Sequence, residues 1–426
     1  MEKNRRYYRK SNREAPARTD GLYRDSSSPL RDFVRRHLFW IVILCITVAA
    51  LGLRLSTYYF RTDDYTSYLS VWYRELQTHG LGYLPPTCNY NLPYVTILYL
   101  LGLVTDNSLA SIKAVSIAFD FALAGAGAML LYDLLKARGE RRRLIAAVTY
   151  TGLLLLPEVV LNSGIWAQCD SIYATFCVLA VLFLVRRQHV AAFVFMGIAL
   201  AFKLQAVFLL PLFVLVWLSD KKCHLLHFLL IPGTMLVCGI PAAVAGRSIW
   251  SIFTIYTDVQ IVNSANDGMS VNYPNLYSFI GEAEYAIFKR FAIILTLIMM
   301  GLAAAIVLRA HRRLSSGEIL LLGGWCGLLC TFFLPAMRER YVYMADILVC
   351  LFALYTRRRG DLIGAATIAV IAAIPQTRYL FGADTAPDWA LALVRLACIV
   401  YLTVRVLQQL APQVLERPQA RREIQN

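Results

Sequence analysis

The feature that most constrains this chain is a series of apolar runs long enough to cross a lipid bilayer. One run extends from Phe291 to Leu308 without a charged side chain, and similar runs recur along most of the 426 residues. A spanning helix needs about 20 mostly apolar residues, so the pattern predicts a helical membrane protein. Charged residues make up 16% of the chain, against about a quarter in a typical soluble domain. The composition excludes a soluble multidomain enzyme, a disordered protein and a disulfide-rich secreted domain.

The net charge of +15 is explained by membrane topology. Cytoplasmic loops of membrane proteins collect Lys and Arg, and basic clusters separate the apolar runs here. No nucleic-acid partner is expected. The first 37 residues carry eleven basic and five acidic side chains, a balance of +6, and few apolar ones. Residues 1–36 are therefore predicted to form a disordered cytoplasmic tail.

When the basic clusters are placed on one side of the membrane, the chain crosses it about twelve times. Span one leaves the cytoplasm at about His37–Thr57, and the last two spans are about Leu362–Ile374 and Trp389–Leu407. The expected fold is all-α: a multi-pass domain over residues 37–410, followed by a cytoplasmic tail over residues 411–426. Both termini lie in the cytoplasm, and the membrane is the plasma membrane.

Two long segments are predicted to lie outside, namely residues 58–110 and 247–284. The first is too aromatic and too polar for a clean span. Its apolar piece Leu92–Val104 is too short to cross and is predicted to lie along the outer surface as a helix.

The same threading places five polar motifs on the outer face. Charged groups at the membrane boundary are costly and usually serve a site or a partner. Carboxylates, amides and cations beside apolar helices suit a ligand with a charged head and a lipid tail. The candidate residues are Asp63, Asp64, Tyr65 and Trp72 after span one, Trp166, Gln168 and Asp170 between spans three and four, Lys203 and Gln205 between spans five and six, Asn275 in the second outer loop, and Arg338, Glu339, Arg340 and Tyr341 after span nine.

The residue types suggest how the chemistry is divided. The planar fork of Arg gives two parallel, charge-assisted hydrogen bonds to a phosphate, so Arg338, Arg340 and Lys203 are predicted to bind a phosphate or diphosphate. A carboxylate can act as general base for a hydroxyl nucleophile, a role predicted for Asp63 or Asp64.

Each motif also has a plainer structural interpretation. The two acids can be solvated loop charges, Lys203 can extend to the lipid headgroups, and Trp166 can be an interface anchor. The run from Arg338 to Arg340 can be an ion-pair cluster that caps a helix turn. The Asn275 stretch can be a simple turn. No segment has ligand spacing typical of a metal site, although Asp63, Asp64 and Asp170 can hold a divalent ion if they meet.

In these motifs the chain resembles bacterial relatives of the GPI-anchor mannosyltransferases, which belong to the GT-C superfamily of glycosyltransferases. The motifs occur in the family's order and cover most of the chain. The family's Met-His-Glu-Arg-Tyr motif has Arg338 where His is usual, so a His-dependent role at this position is in doubt while a cation is kept. The four matching stretches are Asp64–Trp72, Trp166–Ser171, Lys203–Pro211 and Met337–Tyr341.

The resemblance implies an inverting glycosyltransferase without a cofactor, active on the extracytoplasmic face. Its donor is a polyprenyl-phosphate sugar, and a mannose-like hexose moves to a hydroxyl of a lipid-linked or cell-surface glycan. By motif match the catalytic base is Asp64, with Asp63 as its rival. The alternatives are a protein O-glycosyltransferase, and a transporter or flippase of such lipids, which needs the cations but no base.

Overall fold

A computed structural model describes residues 29–136, 141–261, 268–280 and 285–415 of the chain. Within these residues nearly all of the regular secondary structure is helical, which confirms the all-α prediction. Two compact units are distinguished, one ending at Cys45 and one beginning at Ile46. All candidate site residues belong to the second unit.

The helices are α1 Pro29–Ser56, α2 Ser70–His79, α3 Leu92–Gly102, α4 Ser108–Leu134, α5 Arg141–Leu155, α6 Pro157–Val160, α7 Asp170–Val185, α8 His189–Phe202, α9 Leu210–Ser219, α10 Leu230–Val244, α11 Ser251–Ile255, α12 Tyr285–Ala310, α13 Ser316–Phe333, α14 Tyr343–Thr356, α15 Arg359–Phe381, α16 Asp388–Leu410 and α17 Pro412–Leu415. The π-helical turns are Tyr65–Leu69, Leu161–Ile165 and Tyr256–Ile261, and the 3-10 turns are Leu204–Leu209, Leu225–Leu229 and Leu276–Phe279. Two short strands, β1 Ser270–Val271 and β2 Met337–Arg338, pair in parallel.

Within the described residues, seven helices are long and apolar enough to cross a membrane. An eighth span results if α5 and the following helical segment, which are bent by 51°, are counted as one. Five further apolar helices have only 10–17 residues. The predicted number of twelve spans is therefore not confirmed. The shorter helices are Leu92–Gly102, Asp170–Val185, His189–Phe202, Leu204–Ser219 and Tyr343–Thr356.

The surface of the longest helices fits a lipid environment. On α12, Ile287 is 66% exposed and Leu297 is 65% exposed. A soluble monomer rarely exposes a continuous apolar surface of this kind, because water disfavours it. These helices therefore indicate that the protein is embedded in a lipid bilayer.

Helix α1 begins at Pro29, within the predicted disordered tail, so the prediction of disorder is wrong for residues 29–36. Proline is favoured at the first helical position, and Asp32 in the first turn interacts favourably with the helix dipole. At the other end, α17 lies in the predicted C-terminal tail. Residues 1–28 and 416–426 lie outside the described residues.

The segment between α1 and α4 carries α2 and α3, and α3 agrees with the helix predicted there. The end of α1 that leads into this segment is fixed by buried polar contacts. Arg54 Nε lies 2.6 Å from Asp120 Oδ2 on α4, with both side chains fully buried. Lys113 Nζ, also on α4, donates to the carbonyls of Thr57 and Phe60 at 3.0 and 2.9 Å. These contacts hold the backbone just before the Asp63–Asp64 pair.

Candidate active site

The centre of the candidate site is Asp64, at the N-terminal end of the π-helical turn Tyr65–Leu69. Its side chain is 17% exposed, whereas Asp63 is solvent-exposed. Single π-helical turns are rare and occur often at functional sites. The two adjacent acids thus have different surroundings, and of the two only Asp64 faces the other motifs.

Four side chains donate hydrogen bonds to the Asp64 carboxylate. Its Oδ2 atom accepts from Trp166 Nε1 at 2.9 Å, from Gln168 Nε2 at 3.0 Å and from Arg340 Nη1 at 2.8 Å. Its Oδ1 atom accepts from the hydroxyl of Tyr379 at 3.0 Å. The structure therefore joins three of the five predicted motifs at one carboxylate.

Burial by itself would raise the pKa of the Asp64 carboxyl. The charge of Arg340 and the hydrogen bonds from Arg340, Trp166 and Tyr379 act in the opposite direction and prevail, so the pKa is lowered. Asp64 is consequently ionised at neutral pH. It can accept a proton only from a donor brought directly against it.

The backbone between Trp166 and Gln168 explains how both side chains reach one oxygen. Residues i and i+2 on a regular helix do not share a face. Here the π-helical turn Leu161–Ile165 ends at Trp166, and Ala167 adopts a left-handed conformation with φ 64°. A non-glycine residue in this region is uncommon and usually has a reason. The turn directs the indole N–H and the amide N–H to the same Oδ2 atom.

The indole ring of Trp166 also organises its neighbours. The ring of Tyr379 stacks on it with centroids 4.7 Å apart and planes inclined by 25°. The guanidinium carbon of Arg340 lies 5.1 Å from the indole centroid, a cation–π distance. Trp166 is fully buried, so the interpretation as a simple interface anchor does not describe its contacts.

Arg340 comes from the segment between α13 and α14, where β2 pairs with β1. Its side chain is 12% exposed, and its Nε atom has no hydrogen-bond partner in the described part of the chain. Glu339 beside it is buried. Burial raises the pKa of the Glu339 carboxyl to about 7, although the charges of Arg340 and Arg338 lower it. The Nε–H group of Arg340 is therefore a buried donor without an acceptor among the described residues.

A second layer lies behind Gln168. The Oε1 atom of Gln168 accepts a hydrogen bond from the hydroxyl of Tyr90. The ring centroid of Tyr90 lies 5.3 Å from that of Trp72 and 5.1 Å from Lys203 Nζ. Lys203 forms a buried ion pair with Asp170. This layer holds Gln168 in place, and it gives Lys203 a partner within the protein.

Asp170 is held on its second oxygen as well. Its Oδ2 accepts from the amide of Asn162 at 2.8 Å, and its side chain is 1% exposed. Asp63, Asp64 and Asp170 do not form a metal cluster. Among the described residues there is no group of three His, Cys, Asp or Glu side chains that could hold a metal ion.

Several predicted site residues make other contacts. Tyr65 shares a hydrogen bond with Ser108 at 2.8 Å, and Trp72 Nε1 donates to Thr87 at 2.9 Å. Asn275 is fully buried and caps the turn Leu276–Phe279, which supports the plainer interpretation of that stretch as a turn. The remaining three lie close in sequence to contacting residues: Gln205 is buried two residues after Lys203, while Arg338 and Tyr341 flank Glu339 and Arg340.

Two residues that contact the site carry no signal in the sequence. Tyr90 lies in an aromatic-rich loop and resembles the other tyrosines around it. Tyr379 is 315 residues away from Asp64 and lies beyond Ile374, where span eleven was predicted to end. Pro375 follows that predicted end directly, and α15 continues through it to Phe381.

No family model matches the chain, and no curated protein matches it. The resemblance in the four motifs is therefore not accompanied by a match over the whole chain. The chemistry available is that of an ionised, nearly buried carboxylate, a guanidinium and a stacked pair of aromatic rings in a helical membrane protein.

Proposed function

We propose that the protein is a membrane glycosyltransferase of the GT-C type. It moves a mannose-like hexose from a polyprenyl-phosphate donor to a hydroxyl of a lipid-linked or cell-surface glycan. The observation that supports this proposal most is the pairing of an ionised Asp64 with Arg340 at 2.8 Å. A base for a hydroxyl and a cation for a phosphate then stand side by side, as sugar transfer from a lipid phosphate requires.

In the proposed reaction the acceptor hydroxyl gives its proton to Asp64, and its oxygen forms a bond with C1 of the sugar. The bond between C1 and the phosphate oxygen breaks, and the lipid phosphate leaves with the electron pair. Attack from the face opposite to the leaving group inverts the anomeric centre. Since a phosphate is already a good leaving group, positioning and charge stabilisation supply most of the rate enhancement.

Arg340 is the first candidate for the donor phosphate, because its guanidinium places a positive charge 2.8 Å from Asp64 and its side chain is 12% exposed. Arg338 is the second candidate. Lys203 is buried against Asp170, so we assign it to the support of Gln168 and Asp170 rather than to direct phosphate contact. No cofactor takes part in the proposed step.

The proposal includes the topology of twelve spans. Helix length gives eight spans, and in this topology α7, α8, Leu204–Ser219 and α14 are four more. Helix α3 lies on the outer surface. These four segments have 14 or 16 residues, which corresponds to about 21–24 Å at 1.5 Å per residue. They can cross where the bilayer is locally thinned. Both termini then lie in the cytoplasm, and the site faces outside the plasma membrane.

The decisive experiment is the substitution Asp64→Asn in purified protein supplied with polyprenyl-phosphate mannose and glycan acceptors. Loss of a general base is expected to lower turnover by about 10²–10⁴-fold, with donor binding largely retained. The matched control is Asp63→Asn, the same change one residue earlier on an exposed side chain. Turnover of that variant is expected to stay within about two-fold of wild type.

Wild-type turnover that persists in Asp64→Asn would remove Asp64 as the base. If the wild-type protein transfers no sugar but carries the lipid-linked sugar across a vesicle membrane, the transporter alternative is correct instead. Transfer to a peptide hydroxyl in place of a glycan would identify the protein O-glycosyltransferase.

A further inference from the structure

The two oxygens of the Asp64 carboxylate are in different surroundings. We propose that Oδ1 is the oxygen that takes the proton and that Tyr379 is the positioning residue that orients it. This inference rests on the proposed function. Tyr379 belongs to none of the sequence motifs, and its contact with Asp64 joins α15 to the segment that follows α1.

The first argument is a count of lone pairs. A carboxylate oxygen offers about two lone-pair directions for hydrogen bonds. Oδ2 already accepts from Trp166, Gln168 and Arg340, so it has no direction left for a further donor. Oδ1 accepts only from Tyr379 among the described residues, and one of its lone pairs is available to an acceptor hydroxyl.

The second argument is access. Trp166 is fully buried and Gln168 is 1% exposed, so the Oδ2 side of the carboxylate faces the protein interior. Tyr379 is 38% exposed, so the Oδ1 side is the open one. A substrate hydroxyl therefore meets Oδ1 first.

The third argument is the rigidity of Tyr379 itself. Its ring stacks on Trp166, the same residue that donates to Oδ2. Two residues later, the ring of Phe381 packs edge-on against Phe60 at 5.6 Å, which holds the end of α15 beside the segment before Asp64. The carboxylate is thus held at both oxygens by side chains that also touch each other.

Tyr379 is not itself the base. A phenol has an ordinary pKa near 10 and a carboxyl one near 4, so the proton between them stays on the tyrosine. In the transfer step the acceptor proton moves to the available lone pair of Oδ1, the acceptor oxygen bonds to C1, and the lipid phosphate departs. The hydroxyl of Tyr379 keeps its proton and fixes the direction of the remaining lone pair.

The test is Tyr379→Phe in the purified full-length protein, with kcat/KM measured against pH using polyprenyl-phosphate mannose. The ring and its stacking on Trp166 are kept, and only the hydroxyl is lost. We expect kcat/KM to fall about ten-fold or more, as for loss of a hydrogen bond to a charged group. The acid limb of the profile should move to higher pH, because the ionised form of Asp64 loses a donor.

The matched control is Tyr59→Phe, which makes the same chemical change at a tyrosine that is 76% exposed and lies five positions before Asp64. Its profile should coincide with that of wild type. A Tyr379→Phe protein with wild-type kcat/KM and an unmoved acid limb overturns the inference while the proposed function stands. Absence of transfer in wild type and in Tyr59→Phe contradicts the proposed function instead.

If Tyr379→Phe does not fold, as judged by thermal unfolding, Tyr379→Gln takes its place, since its amide can donate to the same oxygen. An acid limb of Tyr379→Gln at the wild-type position supports Oδ1 positioning. An acid limb that moves to higher pH while kcat/KM at its maximum stays at the wild-type value overturns it.

Discussion

Lys203 lies beside the Asp64 cluster, yet its contacts assign it a role that its sequence motif did not predict. The motif predicted a phosphate ligand, and the structure pairs it with Asp170 inside the protein. Only 6% of the lysine is exposed, and Asn162 occupies the other oxygen of the acid. Removal of one partner from a buried ion pair leaves an uncompensated charge, which costs more than loss of the attraction alone.

We therefore expect Lys203→Met to lower the free energy of unfolding by about 3–5 kcal/mol. The double variant Lys203→Met with Asp170→Asn should recover part of this loss, because no buried charge remains. Thermal unfolding in detergent measures both. Lys222→Met, at an exposed position, is the control. A Lys203→Met protein as stable as wild type but with weaker donor binding would restore the phosphate role.

The sequence could locate the site residues but could not pair them. Asp64, Trp166, Gln168 and Arg340 were all placed on the outer face, because the basic clusters determine the direction of each crossing. Asp63 and Asp64 could not be separated, since they differ only in side-chain direction within one turn. That direction depends on tertiary contacts whose partners are about 100 or more residues away.

At the scale of helices, the end of α15 shows why Tyr379 was missed. Proline removes a backbone hydrogen bond and usually ends or kinks a helix. Pro375 nevertheless lies inside α15, which continues to Phe381. Membrane helices tolerate such prolines when neighbouring helices satisfy the freed groups. The helix is therefore longer than the span predicted from about Leu362 to Ile374, and Tyr379 lies on the part beyond it.

Close approach of two helices depends on Gly197 in α8. A Cβ atom added there would lie 2.8 Å from the carbonyl oxygen of Ile231 and 2.7 Å from Cβ of Thr234, both on α10. The carbonyl oxygen of Ile231 belongs to the backbone, so it cannot move away through a change of side-chain rotamer. Small residues of this kind are typical of helix interfaces in membranes.

Gly197→Ala is accordingly expected to lower the free energy of unfolding by about 1–3 kcal/mol, as overpacking does. Gly301→Ala is the matched control, because an added Cβ at that position of α12 meets nothing within 4 Å. The control should be neutral or more stable by up to about 1 kcal/mol, since alanine favours the helix. Chemical unfolding in micelles compares the two. Equal effects would show that α8 and α10 are free to separate.

At the scale of the whole molecule, the number of crossings rests on helices shorter than the bilayer is thick. Helix α7 has 16 residues and lies between the site and the basic turn at Arg186–Arg187. Its orientation decides whether that turn is cytoplasmic. In the proposed topology, helix α4, the bent α5–α6 pair and α7 make three crossings between Asp106 and Gln188.

We therefore expect single cysteines at Asp106 and Gln188 to lie on opposite sides of the membrane. Both positions are exposed. The native cysteine Cys45 is also exposed, so it is replaced by Ser in the background protein. A membrane-impermeant thiol reagent applied to intact cells should label Asp106→Cys and not Gln188→Cys. Labelling of both would mean an even number of crossings between the two positions, and the twelve-span topology would be wrong.

The left-handed backbone at Ala167 affects how the site responds to any ligand. Such a conformation costs an alanine about 1–2 kcal/mol, and this cost is incurred once, when the chain folds. Trp166 and Gln168 then already face their common oxygen, so they need no reorganisation when a ligand arrives. The partners of Oδ2 are thus in place before a ligand binds. Any rearrangement on binding is confined to the surroundings of Oδ1, beside Tyr379.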